Sequence, residues 1–285
     1  MTYDPPRLAT RADGGSVWDD GRPTPEELSV LDWVLTTTRA TRRTLDLDRP
    51  VDLSVVEECL DVALQAPVSH NDERWHWLVV TDLEKRAALA DLYKRAWDAS
   101  TQFASRRARR IRGADQSMAR SQDSAVWLAE HIHEVPVMVV PCITGPSPEE
   151  KAAMWWWLMR EGGISDDEMG PMLAAHWGSI FPAAWSFQLA LRARGLGTVM
   201  TVMHLAMEGQ AAKILELPPS VVQAGLMPVA HLTRTVFKPA RRKPLGTRLS
   251  YDTWHGRRPE PPVAPVHPLA PRMESPGARY EGDRS

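Results

Sequence analysis

The run VPVMVVPCI, residues 135–143, constrains the fold more than any other stretch of the chain. It carries no charge, and its apolar residues follow one another without the alternation of a strand wet on one side, so both of its faces should be buried. A second stretch makes a matching demand. FPAAWSFQLALRAR, from Phe181 to Arg194, has helical periodicity with apolar residues almost all round and Ala183, Ala184, Ser186, Ala190 and Ala193 interspersed. That pattern describes a central helix packed closely on several sides. Pro182 suits its first turn and Gly195 its left-handed C′ position.

The remaining periodicities alternate between helix and strand. Pro25 to Leu35 reads as a first helix, and Ser54 to Gln65 as a second, with Ser54 and Glu57 spaced as a capping box and Pro67 closing it. Trp75 to Val80 is a strand, and Asp82 is a good N-cap for a helix from Leu83 to about Trp97. A helix over 123–134, a strand near 198–203, a helix near 208–216 ended by Pro218 and Pro219, and a strand in GLMPVAHL complete the core. The fold class is an α+β sandwich. Residues 1–24 and 256–285 are too poor in apolar side chains, and the latter too rich in proline, to offset their ordering entropy, so both read as extended arms around a core of 25–255. A Pro-rich arm can still wrap a partner subunit, because extended proline segments lose little entropy on docking.

Several function classes are disfavoured. A net charge of -2 gives no global attraction to nucleic acid or anionic membrane, so any phosphate must be bound locally. The apolar runs are too short to span a bilayer, and the N-terminus has no apolar signal core, which together point to the cytoplasm. Cys59 and Cys142 are too few for a disulfide framework and read as packing residues. RRARRIR at 106–112 lacks flanking stacking aromatics and reads as an exposed helix or loop rather than a nucleic-acid site. His131 and His133, two apart on a helix, point to different faces, so no metal is expected there.

Four separated polar clusters carry the functional signal. They are Arg39, Thr41, Arg42 and Arg43; Ser69 and Asn71 in APVSHN; Gly195, Gly197 and Thr198 in RGLGTVMT; and Arg241 and Arg242 in PARRKP. Guanidinium forks suit phosphate, small polar groups suit ring edges, and a side-chain-poor backbone permits close approach, which together is what a phosphorylated planar cofactor needs.

Five ordered blocks extend this to a family. TTTRATRRTLD, ALQAPVSHNDERWHWLVVTD, AEHIHEVPVMVVPC, WGSIFPAAWSFQLALRARGLGTVMT and FKPARRKPL make the stretch from about Trp33 to Trp254 resemble the FMN-dependent nitroreductase family, closest to its actinobacterial branch. The resemblance implies a three-layer sandwich with helices around a central, mostly antiparallel sheet, and an intertwined homodimer with two FMN sites at the subunit interface. By the same resemblance Arg39, Ala40, Thr41 and Arg43 hold the ribityl phosphate and pyrimidine edge, with Arg39 foremost. Pro67, Val68, Ser69 and Asn71 match the loop that the second subunit lays against the isoalloxazine ring, where Val68 and Asp72 to Arg74 differ from the usual small and amide residues. The backbone of Met200, Thr201 and Val202 matches the strand that passes flavin N5, and Arg241 and Arg242 match a C-terminal phosphate clamp, Arg242 aligning better. Arg42 lies on the other phase.

The activity so implied is ping-pong transfer of hydride from NAD(P)H to a nitroaromatic, quinone or similar planar acceptor, with the cofactor supplying the chemistry and no catalytic side chain assigned. Relatives put the same site to dehydrogenation, dehalogenation or flavin fragmentation, a non-catalytic flavin-binding protein would share it, and a deazaflavin could replace the nicotinamide or the FMN. Trp155, Trp156 and Trp157, in a Trp- and Met-rich excursion over 145–175, cannot all enter one core from one helix. Dimer packing or a satellite core is one reading of them, and a lid stacking on a planar substrate the other.

Overall fold

The computed structural model describes residues 23–108, 116–146, 150, 153 and 169–258. Trp155 to Trp157, most of both arms and Arg109 to Arg112 lie outside these. The chain divides into two compact units between Pro239 and Ala240.

In the first unit, α1 (Pro25–Thr37) starts where Thr24 and Glu27 cap each other, the Glu27 amide donating to Thr24 Oγ1 at 3.2 Å and the Thr24 amide to Glu27 Oε2 at 2.6 Å. The cap of α2 (Leu53–Ala63) differs from the expectation. Asp52 fills it, and its Oδ1 accepts from both the amide (3.0 Å) and the hydroxyl (2.8 Å) of Ser54, so the residue read as the cap is itself held by the true one. Asp82 does cap α3 (Leu83–Ala108), accepting from the Lys85 amide at 2.8 Å, and the helix continues well past Trp97. α4 (Gln116–His131) ends in a 3-10 turn, Ile132–Glu134, where His131 stacks on Trp127.

α5 (Met169–Ala193) begins a full three turns before Phe181, so Pro182 lies inside the helix rather than in its first turn. Its missing N–H leaves the Gly178 carbonyl without a helical donor. Burial of His176 and Ile180, side chains upstream of the proline, outweighs that local stop signal. Gly195, at φ +77°, ends the helix as expected. α6 (Glu208–Ile214) follows a 3-10 turn, Met203–Met207. No described helix is long and apolar enough to cross a membrane.

Among the described residues six strands form one sheet: β1 (Leu45–Asp46), β2 (Trp75–Val80), β3 (Val137–Thr144), β4 (Leu196–Gly197), β5 (Val221–Gln223) and β6 (Met227–Leu232). Every pairing is antiparallel, in the order β1-β6-β3-β2, with β4 beside β6 and β5 beside β3. β3 is buried on both faces, as its sequence requires. Met138, Val140 and Cys142 pack with Leu89 and Tyr93 of α3, Leu128 of α4 and Ala211 of α6. Val137 and Val139 point the other way, onto Val56 and Cys59 of α2 and Phe187 and Leu191 of α5. Helices therefore cover both faces of the sheet, and three layers result.

Two irregularities shape the strand that leads into the candidate site. β5 and β6 are one strand with an extra residue: Gln223 faces Cys142 and Ala224 donates to the Pro141 carbonyl, but Met227 faces Val139, so Gly225 is a bulge. The expected strand at 198–203 appears as β4 plus a single bridge, Thr201 to Leu226. Leu196–His231, Gly197–Ala230 and Thr201–Leu226 keep one register, which sets Val199 opposite Pro228. Proline has no N–H to return, and the ladder breaks there.

The second unit, in its described part, holds a 3-10 turn, Leu245–Thr247, and a tight loop in which the Tyr251 amide donates to the Gly256 carbonyl at 3.1 Å. Residues from Gly246 to His255 line an open concavity of about 900 Å³.

Candidate functional site

The site grows from the free edge of the strand that carries Thr198 to Val202. Along an antiparallel strand successive N–H and C=O groups face opposite edges. Thr201 faces β6: its amide donates to the Leu226 carbonyl at 2.9 Å and its carbonyl accepts from the Leu226 amide at 2.8 Å. Of the three residues matched to flavin N5, Thr201 thus has its N–H committed within the sheet. Met200 and, one pleat on, Val202 direct theirs to the other edge. Thr198 uses that same outer edge, because its carbonyl accepts from both the amide (3.0 Å) and Oγ1 (2.9 Å) of Thr41.

That double bond seats the Arg39–Arg43 turn on the strand. Thr41 is buried, and a Cβ on Gly197 would run into its Oγ1 and into Leu232, so residue 197 has to be glycine for the turn to sit so close. Gln188, the one amide in the central helix, donates to the Arg39 carbonyl at 3.0 Å. The half-buried Arg39 guanidinium spans the end of α1, donating to the carbonyls of Thr38 (2.7 Å), Thr36 (2.9 Å) and Lys238 (2.5 Å). Arg43 is exposed and reaches the Asp123 carbonyl at 3.1 Å. Ala40 is exposed between them.

Arg42, which the phase argument set aside, sits close to Tyr93. Burial pushes the Tyr93 hydroxyl up, while a hydrogen bond from Thr201 Oγ1 at 3.1 Å and the positive field of Arg42 pull the other way. Thr201 is therefore fixed through its side chain as well as its backbone. Behind it, His204 is fully buried; desolvation holds its pKa down at about 4, and it is neutral at pH 7. Gln223 stands beside the ring and offsets part of that shift, yet neither ring nitrogen makes a well-aligned hydrogen bond.

The Pro67–Asn71 loop is held at a different point of the same scaffold. Ser179 Oγ, on α5, accepts from the Ser69 amide at 3.2 Å. Ser179 and Gln188 are nine residues apart, so the two anchored loops lie about 14 Å apart along the helix axis. Pro67, His70 and Asn71 are exposed, Val68 and Ser69 half-buried. Arg241 and Arg242 are exposed and belong to the second unit.

A flavin mononucleotide fits what the first unit offers. Among the described residues Thr198 Oγ1 is buried without a hydrogen-bond partner, the Met200 amide faces outward beside it, and the cationic turn adjoins the strand through Thr41. The structure brings Arg39, Thr41 and the strand at Thr198 together as neighbours. The sequence does not mark Gln188, which a search for the lone amide in an apolar helix would find, nor Ser179 and Tyr93, which no spacing singles out.

A model of the nitroreductase family matches residues 36–231. No curated protein matches the chain. Among solved structures, a BluB-like flavoprotein from Clostridium difficile 630 superposes with a TM-score of 0.56 at 14% identity, over 78% of this chain and 99% of its own. Iodotyrosine deiodinase bound to FMN and 3-iodo-L-tyrosine gives 0.53 at 17% identity, over 79% and 100%. Nitroreductase A from Vibrio parahaemolyticus gives 0.52 at 18%, over 81% and 78%. At these identities the likeness is one of fold.

Proposed function

The chain belongs to the nitroreductase family, a family of flavoproteins, and from that premise we propose that it binds FMN and passes hydride from NAD(P)H to a planar acceptor such as a nitroaromatic or quinone. The observation that supports this most is the outer strand edge, where the buried, unpartnered Thr198 Oγ1 and the outward Met200 amide stand beside the Arg39–Arg43 turn. When bound, the flavin supplies the redox chemistry. The chain's part is to bind and orient. Arg39 and Arg43 carry the charge for a phosphate, the Met200 amide donates at the ring edge, and Tyr93 and Gln188 keep strand and turn from shifting against each other.

The partner is a second copy of the chain. Leu173, Trp177, Phe181 and Trp185 form an i+4 ridge on α5, the kind of row that fits the groove of another helix; Phe181 and Trp185 are 40% and 43% exposed. With that partner in place, the Pro67–Asn71 loop of one subunit meets the flavin held by the other. The clamp by Arg241 and Arg242 and the placement in the cytoplasm are part of the same reading.

The test is the visible spectrum of the purified protein before and after anaerobic NADPH, with the released cofactor identified by chromatography. Bound FMN that bleaches, and recovers on adding a quinone or nitroaromatic, is the expected result. Bound FMN that stays oxidised would move the chain to other flavin chemistry, to a deazaflavin donor or to flavin storage. A protein that takes up no flavin would sink the proposal.

A further inference from the structure

We propose that His70 is a catalytic proton donor to the acceptor, an inference that rests on the flavin reading above. His70 (φ 58°, ψ 19°) and Asn71 (φ 53°) are consecutive left-handed residues, and neither is glycine. Histidine and asparagine enter that region more readily than most residues with a Cβ, and here the surroundings also hold both of them in it. They do so from both sides. The Ser69 amide donates to Ser179 Oγ, the Asp72 amide to the Ser69 carbonyl at 3.1 Å, and Arg74 Nε pairs with Asp72 Oδ2 at 2.6 Å. The Arg74 carbonyl in turn accepts from the amide (2.8 Å) and Oγ1 (3.2 Å) of Thr144, at the end of β3. A glycine at 70 would adopt this conformation freely, yet the chain holds an imidazole there. Strain of this kind, retained and braced, is a mark of function.

The imidazole is set up to exchange a proton. It is exposed, and its Nδ1 lies 2.8 Å from Ser69 Oγ. A serine hydroxyl donates to a bare Nδ1 and accepts from a protonated one, so the ring can change charge without losing its bond to Ser69. Nε2 is the nitrogen left for a substrate. The ionisable groups that follow His70 on the loop are Asp72, tied to Arg74, and Glu73.

A quinone becomes a hydroquinone by gaining one hydride and one proton. With a reduced flavin bound, the hydride would come from it. The Nε2–H bond of the protonated ring breaks as an O–H bond forms on the acceptor, and the neutral ring recovers its proton from water.

The experiment reduces the holoprotein with NADPH and follows reoxidation by benzoquinone, which takes a proton, and by ferricyanide, which takes only electrons. His70→Gln is expected to lower the ratio of benzoquinone to ferricyanide rates about 100-fold, the usual scale of a general acid. Two readouts need no flavin. Imidazole ¹⁵N shifts should show a single tautomer, protonated at Nε2, that becomes mixed in Ser69→Ala, and His70→Gly should melt higher than the parent because its left-handed φ is no longer strained. His70→Gly also guards against a Gln variant that fails to fold, since it must show the same fall in ratio. Equal slowing with both acceptors, or no change in the ratio, overturns the role of His70 while leaving the flavin reading standing. A parent protein without bound flavin overturns the flavin reading and this inference with it.

Discussion

His204 shows how one side chain can set the pH range of the fold. Its pKa lies at about 4 in the folded chain and near 6.5 when exposed, so between those values the unfolded state binds a proton that the folded state refuses. Stability is therefore full above about pH 6.5 and falls as pH drops toward 4. From pH 7 to pH 5 the loss is about 2 kcal/mol from this residue. Urea unfolding at the two values should show it, and His204→Gln should flatten the difference; an unchanged slope would assign the effect to another group. The residue scale is also where the sequence was least legible. Arg39, Thr41 and the glycines stand in recognisable words, but Tyr93 and Ser179 act across gaps of about a hundred residues, and nothing near them in sequence signals the partner.

At the scale of elements, burial patterns were read well and local signals were sometimes overruled. β2 occupies Trp75–Val80 as expected, and β3, its run apolar on both faces, lies between helix layers. α5 starts earlier than its sequence predicts: a proline usually opens a helix, whereas here the packing of His176 and Ile180 carries the helix through it. The strand expected at 198–203 is shorter than its sequence suggests, because what breaks its ladder, Pro228, sits on the neighbouring strand. Pro182→Ala restores a donor to the Gly178 carbonyl, and should stabilise the protein by about 1 to 3 kcal/mol, seen as a rise of several degrees in Tm. A lower Tm would mean that the Pro182 ring makes contacts worth more than the missing bond.

Among the described residues of the whole molecule, Phe181 and Trp185 of the α5 ridge stand out as large exposed apolar side chains. Trp185→Glu is expected to shift the protein from dimer to monomer in light scattering coupled to size exclusion, and to weaken FMN retention at the same time. A variant that stays dimeric would place the contact elsewhere. The order in which the strands are joined has a consequence for biosynthesis. β6 pairs with β1, β3 and β4, and Leu45 waits for Leu232, 187 residues later. While the chain is being translated it can form helices and the β2–β3 pair, but its sheet stays open until the last strand emerges. A ribosome that stalls before Met227 releases a product whose unpaired edges any chaperone or protease can recognise, so this single segment certifies that the sheet has been made in full.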